Sequence, residues 1–360
     1  MSGPGPFNPD RLVLARKRRK LTATALAAAA GLTNVHMSRL EKGHSEPTAA
    51  TVGSLAEALG YPEKFFFLPD VPGLSGEAVS FRSLKSASVR EREAARAAAE
   101  LGVDVARWLD QSFTLPEPDL PDLSFMSETD AAARSLRQAW GLGERPVASM
   151  VALLEAKGVR VFSLGEDTQA IDAFSFWQDG IPFVFLNRMK TAERDSQDAA
   201  HELGHLVLHR RGHIPRGRDA EREANEFGAS FLMPEEDVRA RMGRAPTVER
   251  ILRTKARWRV SAMALAHRCH RLGLLTDWTY RSACIELSQR GYRSGEPGGV
   301  DRDTSRVWRQ VFDQLWKERR SRVHIAREIG LPEDELLRIT FDLTPSGPRP
   351  EGRGDLRAVT

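Results

Sequence analysis

One segment of this 360-residue sequence carries residues spaced for metal chemistry. His201 and His205 enclose Glu202 in the pattern His-Glu-Leu-Gly-His. Residues four apart lie on one face of an α-helix, so both imidazoles can offer a ring nitrogen to one metal ion. Glu202 follows the first histidine and can take a proton from a water molecule as a general base. Apolar Leu203 and Leu206 are typical of a buried active-site helix.

A second amphipathic segment, residues 219–234, can supply a third ligand. Glu221 and Asn225 are four residues apart, so Glu221 can bind the metal while Asn225 supports a ligand through a hydrogen bond. Glu223 points to a different helix face and is the weaker candidate. A catalytic zinc site takes three protein ligands and leaves one position open. The spacing therefore predicts Zn²⁺ as a cofactor.

Several interpretations of this group remain open. His209 extends the histidine series by four residues, and a surface histidine is favoured over a supporting group or an alternative ligand. The polar residues of the two helices could merely satisfy one another. The site could also bind zinc without hydrolysing peptides.

These residues resemble the ImmA/IrrE (M78-type) metallopeptidases over about residues 127–290. The resemblance implies that His201, His205 and Glu221 are the zinc ligands and that Glu202 is the catalytic base. It also implies a repressor-like or antitoxin-like protein as the substrate. The matching motifs are Phe185-Leu186-Asn187, Arg194, the run from Ala200 to His209, Glu221, Ala224-Asn225, Phe227 and Leu232-Met233-Pro234.

The elements that position these residues are predicted to be mostly α-helical, with one small β hairpin or sheet. Strand patterns occur at 159–163, 173–178 and 181–187, and Asp179-Gly180 between the last two is a strong hairpin signal. Helices are expected at about 127–141 and 147–157 and over most of 191–288. These elements fit the M78 resemblance, which implies an α+β zincin-like domain at 127–290.

A basic helical head is predicted at residues 8–67. Gly31 suits the left-handed end of one helix, and Thr33 can cap the next. Residues 1–67 hold nine Lys/Arg and five acidic residues, which is the whole excess charge of +4. A small domain that carries all of the excess positive charge indicates a polyanionic partner.

This head resembles the Cro/CI-type (XRE) helix-turn-helix family. The matching residues are Leu26-Ala27, Gly31-Leu32-Thr33, the run from Ser38 to Gly43, Glu46-Pro47, Leu55-Ala56 and Leu59-Gly60. The resemblance implies double-stranded DNA as a partner, with base or phosphate contacts from Thr33, Asn34, His36, Ser38 and Arg39. It implies phosphate contacts from Arg16, Arg18, Arg19 and Lys42. A plain helical bundle with a solvated basic face is the alternative.

The rest of the chain is expected to connect and cover these two domains. Residues 68–126 are predicted to be a helical linker, whose helix at about 86–111 serves either as a homodimer contact or as a spacer. Residues 291–345 are predicted to form a C-terminal helical region. Residues 346–360 are predicted to be a disordered tail.

Composition restricts the structural class and the cellular location that are expected for this protein. Two cysteines exclude a disulfide scaffold, and the absence of an apolar run of about 18 residues predicts no membrane partner. The Gly/Pro-rich start lacks the features of a signal peptide, so a cytoplasmic location is expected. The combined prediction is a DNA-binding transcriptional regulator that carries a zinc peptidase. The alternative is a transcription factor whose metal domain only senses a ligand, as relatives described as acyl-metabolism regulators suggest.

Overall fold

The computed structural model describes residues 5–71, 74, 87–165, 171–210 and 218–342. Within these ranges the chain folds into 16 α-helices and one three-stranded sheet, which confirms the predicted mostly helical fold class. The predicted disordered tail, residues 346–360, lies outside the described residues. No helix in the described part of the chain is both long and apolar enough to cross a membrane.

The head consists of four short helices and a closing 3-10 turn. These are α1 (Pro9–Arg18), α2 (Ala23–Ala29), α3 (Asn34–Glu41), α4 (Ala49–Leu59) and the turn at Glu63–Phe67. Each α-helix begins after a residue whose side-chain oxygen accepts a backbone N–H bond, and these caps are Asn8, Thr22, Thr33 and Thr48. Gly31 has φ +67°, so the turn between α2 and α3 uses the left-handed conformation predicted for it.

The remaining elements begin with one long helix. They are α5 (Val89–Ser112), α6 (Thr129–Ala139), α7 (Met150–Ala156), β1 (Arg160–Ser163), β2 (Ala173–Gln178), β3 (Ile181–Leu186), α8 (Ala192–Leu208), α9 (Arg218–Leu232), α10 (Glu235–Met242), α11 (Val248–Thr254), α12 (Ala262–Arg271), α13 (Asp277–Gln289), α14 (Arg306–Lys317), α15 (Arg322–Ile329) and α16 (Glu333–Ile339). The start of α6 differs from the sequence prediction. It begins after Glu128, which makes no side-chain capping bond, and not at Ser127.

The sheet has the strand order β1-β3-β2, with β1 parallel and β2 antiparallel to β3. The predicted hairpin joins β2 to β3 through Asp179 and Gly180, whose φ angles of 52° and 82° fit a tight two-residue turn. Because side chains alternate along a strand, the two faces differ in character. The phenylalanines of β2 and β3 stack across the strands on one face, and Ser175 lies on the other.

Helix α5 covers one face of the sheet. It packs against the phenylalanine face, and Gly102 allows the close approach, since a Cβ there would lie 2.5 Å from Cζ of Phe185. Helix α8 covers the opposite face, where Trp177 Nε1 donates to the Leu206 carbonyl. The apolar side of α5, including Leu101, Val105 and Leu109, is buried within this chain. That face is therefore not presented to a second copy, and the helix is more than a spacer.

The segment after α5 is also docked. The Asp119 amide donates to the Lys157 carbonyl at 3.0 Å, and the Leu123 amide donates to the Val207 carbonyl at 2.8 Å. Leu120 and Leu123 are buried. Residues 113–126 therefore follow the surface of the domain that holds α8.

The head contacts the C-terminal helices through a buried ion pair. Arg18 of α1 lies 2.6 Å from Glu335 of α16, with side chains 3% and 1% exposed. Arg18 also donates to the Leu164 carbonyl just after β1. Beside this pair, Arg19 lies 3.3 Å from the half-exposed Asp334. The first and last described helices thus share one interface.

Candidate metal centre and nucleic-acid surface

Helices α8 and α9 approach each other at two glycines. A Cβ on Gly204 would lie 3.1 Å from Cα of Ala224, and one on Gly228 would lie 3.0 Å from the backbone nitrogen of His201. Those neighbours are backbone atoms, which cannot rotate away. The absence of side chains at both glycines lets the two helix backbones come close enough for a carboxylate on α9 to reach histidines on α8.

Three donor groups converge at this contact. His201 Nε2 and His205 Nε2 are 3.1 Å apart, and the Glu221 carboxylate lies 3.4 Å from the first and 3.7 Å from the second. Zinc bonds of 2.0–2.1 Å in a tetrahedron place neighbouring ligand atoms about 3.3 Å apart. The donor set therefore fits Zn²⁺ in both chemistry and spacing, and the structure brings together all three ligands that the sequence predicts.

Asn225 lies beside the first histidine. Its Oδ1 is 3.2 Å from His201 Nδ1, and its amide nitrogen donates to the Glu221 carbonyl at 2.7 Å. The side chain therefore links the predicted ligand on α8 to the backbone of α9. This is the supporting position that the spacing predicts for it.

Glu202 projects from α8 toward the sheet. Its carboxylate Oε2 accepts a 2.6 Å hydrogen bond from the Ser175 hydroxyl of β2, and both residues are buried. The bond fixes one oxygen of the predicted general base. Ser175 was not identified from the sequence, although its place on the non-phenylalanine face of an alternating strand was a usable signal.

His209 is not the surface histidine favoured by the sequence analysis. Its side chain is 5% exposed, because it lies between His205 and α9. Its Nδ1 is 2.9 Å from His205 Nδ1, and its Nε2 is 3.1 Å from Glu223 Oε2. Glu223 therefore contacts His209, whereas Glu221 contacts His201 and His205.

The charges around the three donors are strongly coupled. Hydrogen bonds from His201 and then His205 hold the pKa of Glu221 far below its usual range. Burial lowers the pKa of His201, but the hydrogen bond to Glu221 and the nearby carboxylates outweigh it, so the net pKa is raised. Burial also raises the pKa of Asp198 to about 7, against the charge of Arg194. The Glu221 carboxylate is therefore the group most strongly held in its charged form among the three donors.

The predicted recognition helix α3 presents most of its DNA-contact candidates to solvent. Thr33, Asn34, Arg39 and Lys42 are exposed, and His36 and Ser38 are half-buried. Thr33 also caps the helix through a 3.2 Å bond from the His36 amide. Val35, in the first turn of α3, is not among the predicted contacts and is 70% exposed.

The three arginines predicted to contact phosphates, Arg16, Arg18 and Arg19, all have partners within the protein, and only Arg18 is buried. Arg16 is paired with Glu41 inside the head at 2.5 Å, and Arg18 is buried against Glu335. Arg19 donates to the Leu59 carbonyl and lies near Asp334. All three guanidinium groups are therefore engaged within the protein, and Arg18 is not available to a phosphate in this structure.

Comparison with known families supports both domain assignments. Residues 12–66 match the helix-turn-helix family model, and residues 154–270 match the model of the IrrE N-terminal-like domain, peptidase family M78. No curated protein matches the chain. The second match includes His201, Glu202, His205 and Glu221, and the first includes all of α3. The comparison therefore agrees with the predicted pairing of a helix-turn-helix head at residues 12–66 with a region similar to the IrrE N-terminal-like domain at residues 154–270.

Proposed function

We propose that this protein is a DNA-binding transcriptional regulator and a zinc-dependent endopeptidase, with domains at about 8–67 and 127–290. The observation that carries the peptidase proposal is the three-donor group on α8 and α9, together with the neighbouring Glu202, whose charge acts on His201. Two imidazoles and one carboxylate leave a position open on a tetrahedral ion, as catalytic zinc sites require. Glu202 lies next to His201 in sequence but is not part of the three-donor group.

The chemistry of the site follows from these side chains. When bound by His201, His205 and Glu221, Zn²⁺ would supply Lewis acidity to a peptide carbonyl. Glu202 takes a proton from the attacking water as the water oxygen bonds to the carbonyl carbon. It then delivers that proton to the amide nitrogen as the C–N bond breaks. The hydrogen bond from Ser175 holds the carboxylate in one orientation during both transfers.

The substrate proposed for this site is a repressor-like or antitoxin-like protein, in line with the M78 resemblance. The helix-turn-helix domain would hold the enzyme at an operator through α3. A homodimer would match a pseudo-palindromic operator, but its contact would have to lie away from the covered face of α5. Light scattering of the purified chain, alone and with operator DNA, tests the dimer.

The decisive experiment replaces Glu202 by Gln. We expect Glu202→Gln to keep bound zinc and DNA binding but to lose substrate cleavage, as measured by mapping new protein N-termini in cells. Glu236→Gln on α10 is the matched control, because Glu236 is exposed and lies outside the three-donor group. If Glu202→Gln retains zinc while regulation and protein levels stay unchanged, the peptidase proposal fails and the ligand-sensor alternative is favoured.

A further inference from the structure

We propose that His209 and Glu223 form a hydrogen-bonded chain that orients His205 toward the metal. The inference rests on the proposed zinc centre and assigns two positioning residues to it. His205 would bind through Nε2, the atom that lies near His201 Nε2 and Glu221. Its other ring nitrogen, Nδ1, faces His209.

The protonation pattern of this chain follows from its geometry. A ring that binds metal through Nε2 carries its proton on Nδ1, so His205 Nδ1–H donates across the 2.9 Å gap to His209 Nδ1. His209 must then carry its own proton on Nε2. That N–H donates to Glu223 Oε2 at 3.1 Å. Each of the three side chains then has one role: His205 donates to His209, His209 donates to Glu223, and Glu223 accepts. The carboxylate has no proton to donate, so it fixes the direction of both hydrogen bonds.

Side chains of α9 thereby help to position both predicted histidine ligands. His201 reaches that helix through Asn225 directly, and His205 reaches it through His209 and Glu223. Glu221, the predicted carboxylate ligand, lies on the same helix, two residues before Glu223. Helix α9 therefore supplies a ligand, the direct partner of His201, and the carboxylate that holds the partner of His205.

The burial of His205 and His209 makes their hydrogen bonds important for metal binding. The side chains of His205 and His209 are 8% and 5% exposed, so a leucine at position 209 would leave His205 Nδ1–H with little access to water. A buried donor without a partner is costly, and the ring would lose the contact that fixes its orientation. Loss of such outer partners typically weakens metal binding 10- to 100-fold.

The test measures zinc affinity of the full chain by competition with a chromogenic chelator. We expect His209→Leu to weaken zinc binding about 10- to 100-fold. Glu223→Gln should cause a smaller loss because its amide oxygen still accepts, and His209→Gln should recover part of the affinity because its amide both accepts and donates. His270→Leu is the matched control, since it removes a histidine–carboxylate pair with Asp277, outside the three-donor group. The control should bind zinc as the unmodified chain does.

A second measurement locates the ring protons of these hydrogen bonds directly in the unmodified protein. It therefore does not depend on the stability of any variant. Nitrogen-15 spectra of histidine side chains in the zinc-loaded protein should show a proton on Nδ1 of His205 and on Nε2 of His209. A proton on Nδ1 of His209, or zinc affinity of a folded His209→Leu within twofold of the unmodified chain, overturns the proposal. The His201→Ala variant distinguishes a failure of the proposed metal centre from a failure of the proposed hydrogen bonds. If that variant also binds zinc normally, the metal centre itself is wrong; if only His209→Leu binds normally, the centre stands and the chain of hydrogen bonds falls.

Discussion

The buried ion pair between α1 and α16 predicts how much free energy is needed to open the interface between the head and the C-terminal helices. Arg18 and Glu335 are 3% and 1% exposed, and their side chains meet at 2.6 Å. Replacing one partner of a buried pair leaves the other charge uncompensated, which costs about 3–5 kcal/mol. We therefore expect Glu335→Gln to lower the free energy of opening this interface by that amount.

The neighbouring pair supplies the matched control. Asp334 is 51% exposed and lies 3.3 Å from Arg19, so solvent screens the interaction. Exposed pairs of this kind contribute about 0–1 kcal/mol. Asp334→Asn removes a carboxylate charge from the adjacent residue and should change the opening free energy little. The two carboxylates therefore differ in burial and also in partners, because Glu335 lies 3.7 Å from Arg19 as well as 2.6 Å from Arg18.

Hydrogen exchange of the amides in α1 and α16, followed by mass spectrometry, measures this opening locally. A loss of 3–5 kcal/mol corresponds to exchange about 100 to 5,000 times faster. The double variant Arg18→Met with Glu335→Leu should restore much of the protection, because it removes both charges. If exchange in Glu335→Gln is no faster than in Asp334→Asn, the pair does not hold the head.

Three further predictions test the close helix packing, the DNA surface and a buried carboxyl group. Gly228→Ala places a Cβ 3.0 Å from the His201 backbone nitrogen, so we expect a loss of about 1–3 kcal/mol in thermal unfolding and weaker zinc binding. Gly53→Ala in α4, whose Cβ would meet its nearest atom at an ordinary 3.6 Å, should leave zinc binding unchanged and raise stability by about 0.5–1 kcal/mol through helix propensity, and an equal effect of the two changes would refute the packing argument. Arg39→Ala should weaken operator binding about tenfold in a gel-shift titration, whereas Arg253→Ala on the exposed side of α11 should not; a reduced salt slope would indicate a phosphate contact and relaxed sequence selection a base contact. Burial raises the pKa of Glu155 to about 7, despite hydrogen bonds from Ser305 and the Arg306 amide. The folded protein then keeps a proton that the unfolded chain releases above about pH 4.5, so this group's contribution to stability is present at pH 5 and falls toward pH 8. The melting temperature of Glu155→Gln should accordingly rise relative to that of the unmodified chain over this range, and a constant difference would contradict the assignment.

Local patterns carried most of what could be predicted for the two domains. The turn at Gly31, the cap at Thr33 and the four-residue spacing of His201 and His205 depend on neighbours within a few residues. Such features are visible in one sequence because helix geometry fixes which residues meet. The Asp179-Gly180 hairpin belongs to the same class.

Features set by distant packing were not predictable in this way. The apolar face of α5 is evident from its spacing, but the spacing does not reveal that the phenylalanine face of the sheet covers it. Arg18 has the same sequence context as a phosphate-binding arginine, and its partner lies 317 residues away. The burial of His209 depends on α9 in the same manner. In each case the deciding contact is long-range, and composition gives no sign of it.

The interface between α1 and α16 also has a consequence for synthesis of the protein. Arg18 is added to the growing chain 317 residues before Glu335, which at about 5–20 residues per second is a delay of about 15 to 60 s. During that interval the nascent head has no carboxylate from α16, so Arg18 lacks Glu335 and Arg19 lacks Asp334. The newly made head therefore carries more exposed positive charge than the finished protein, and its charge is partly neutralised only when the last helix docks.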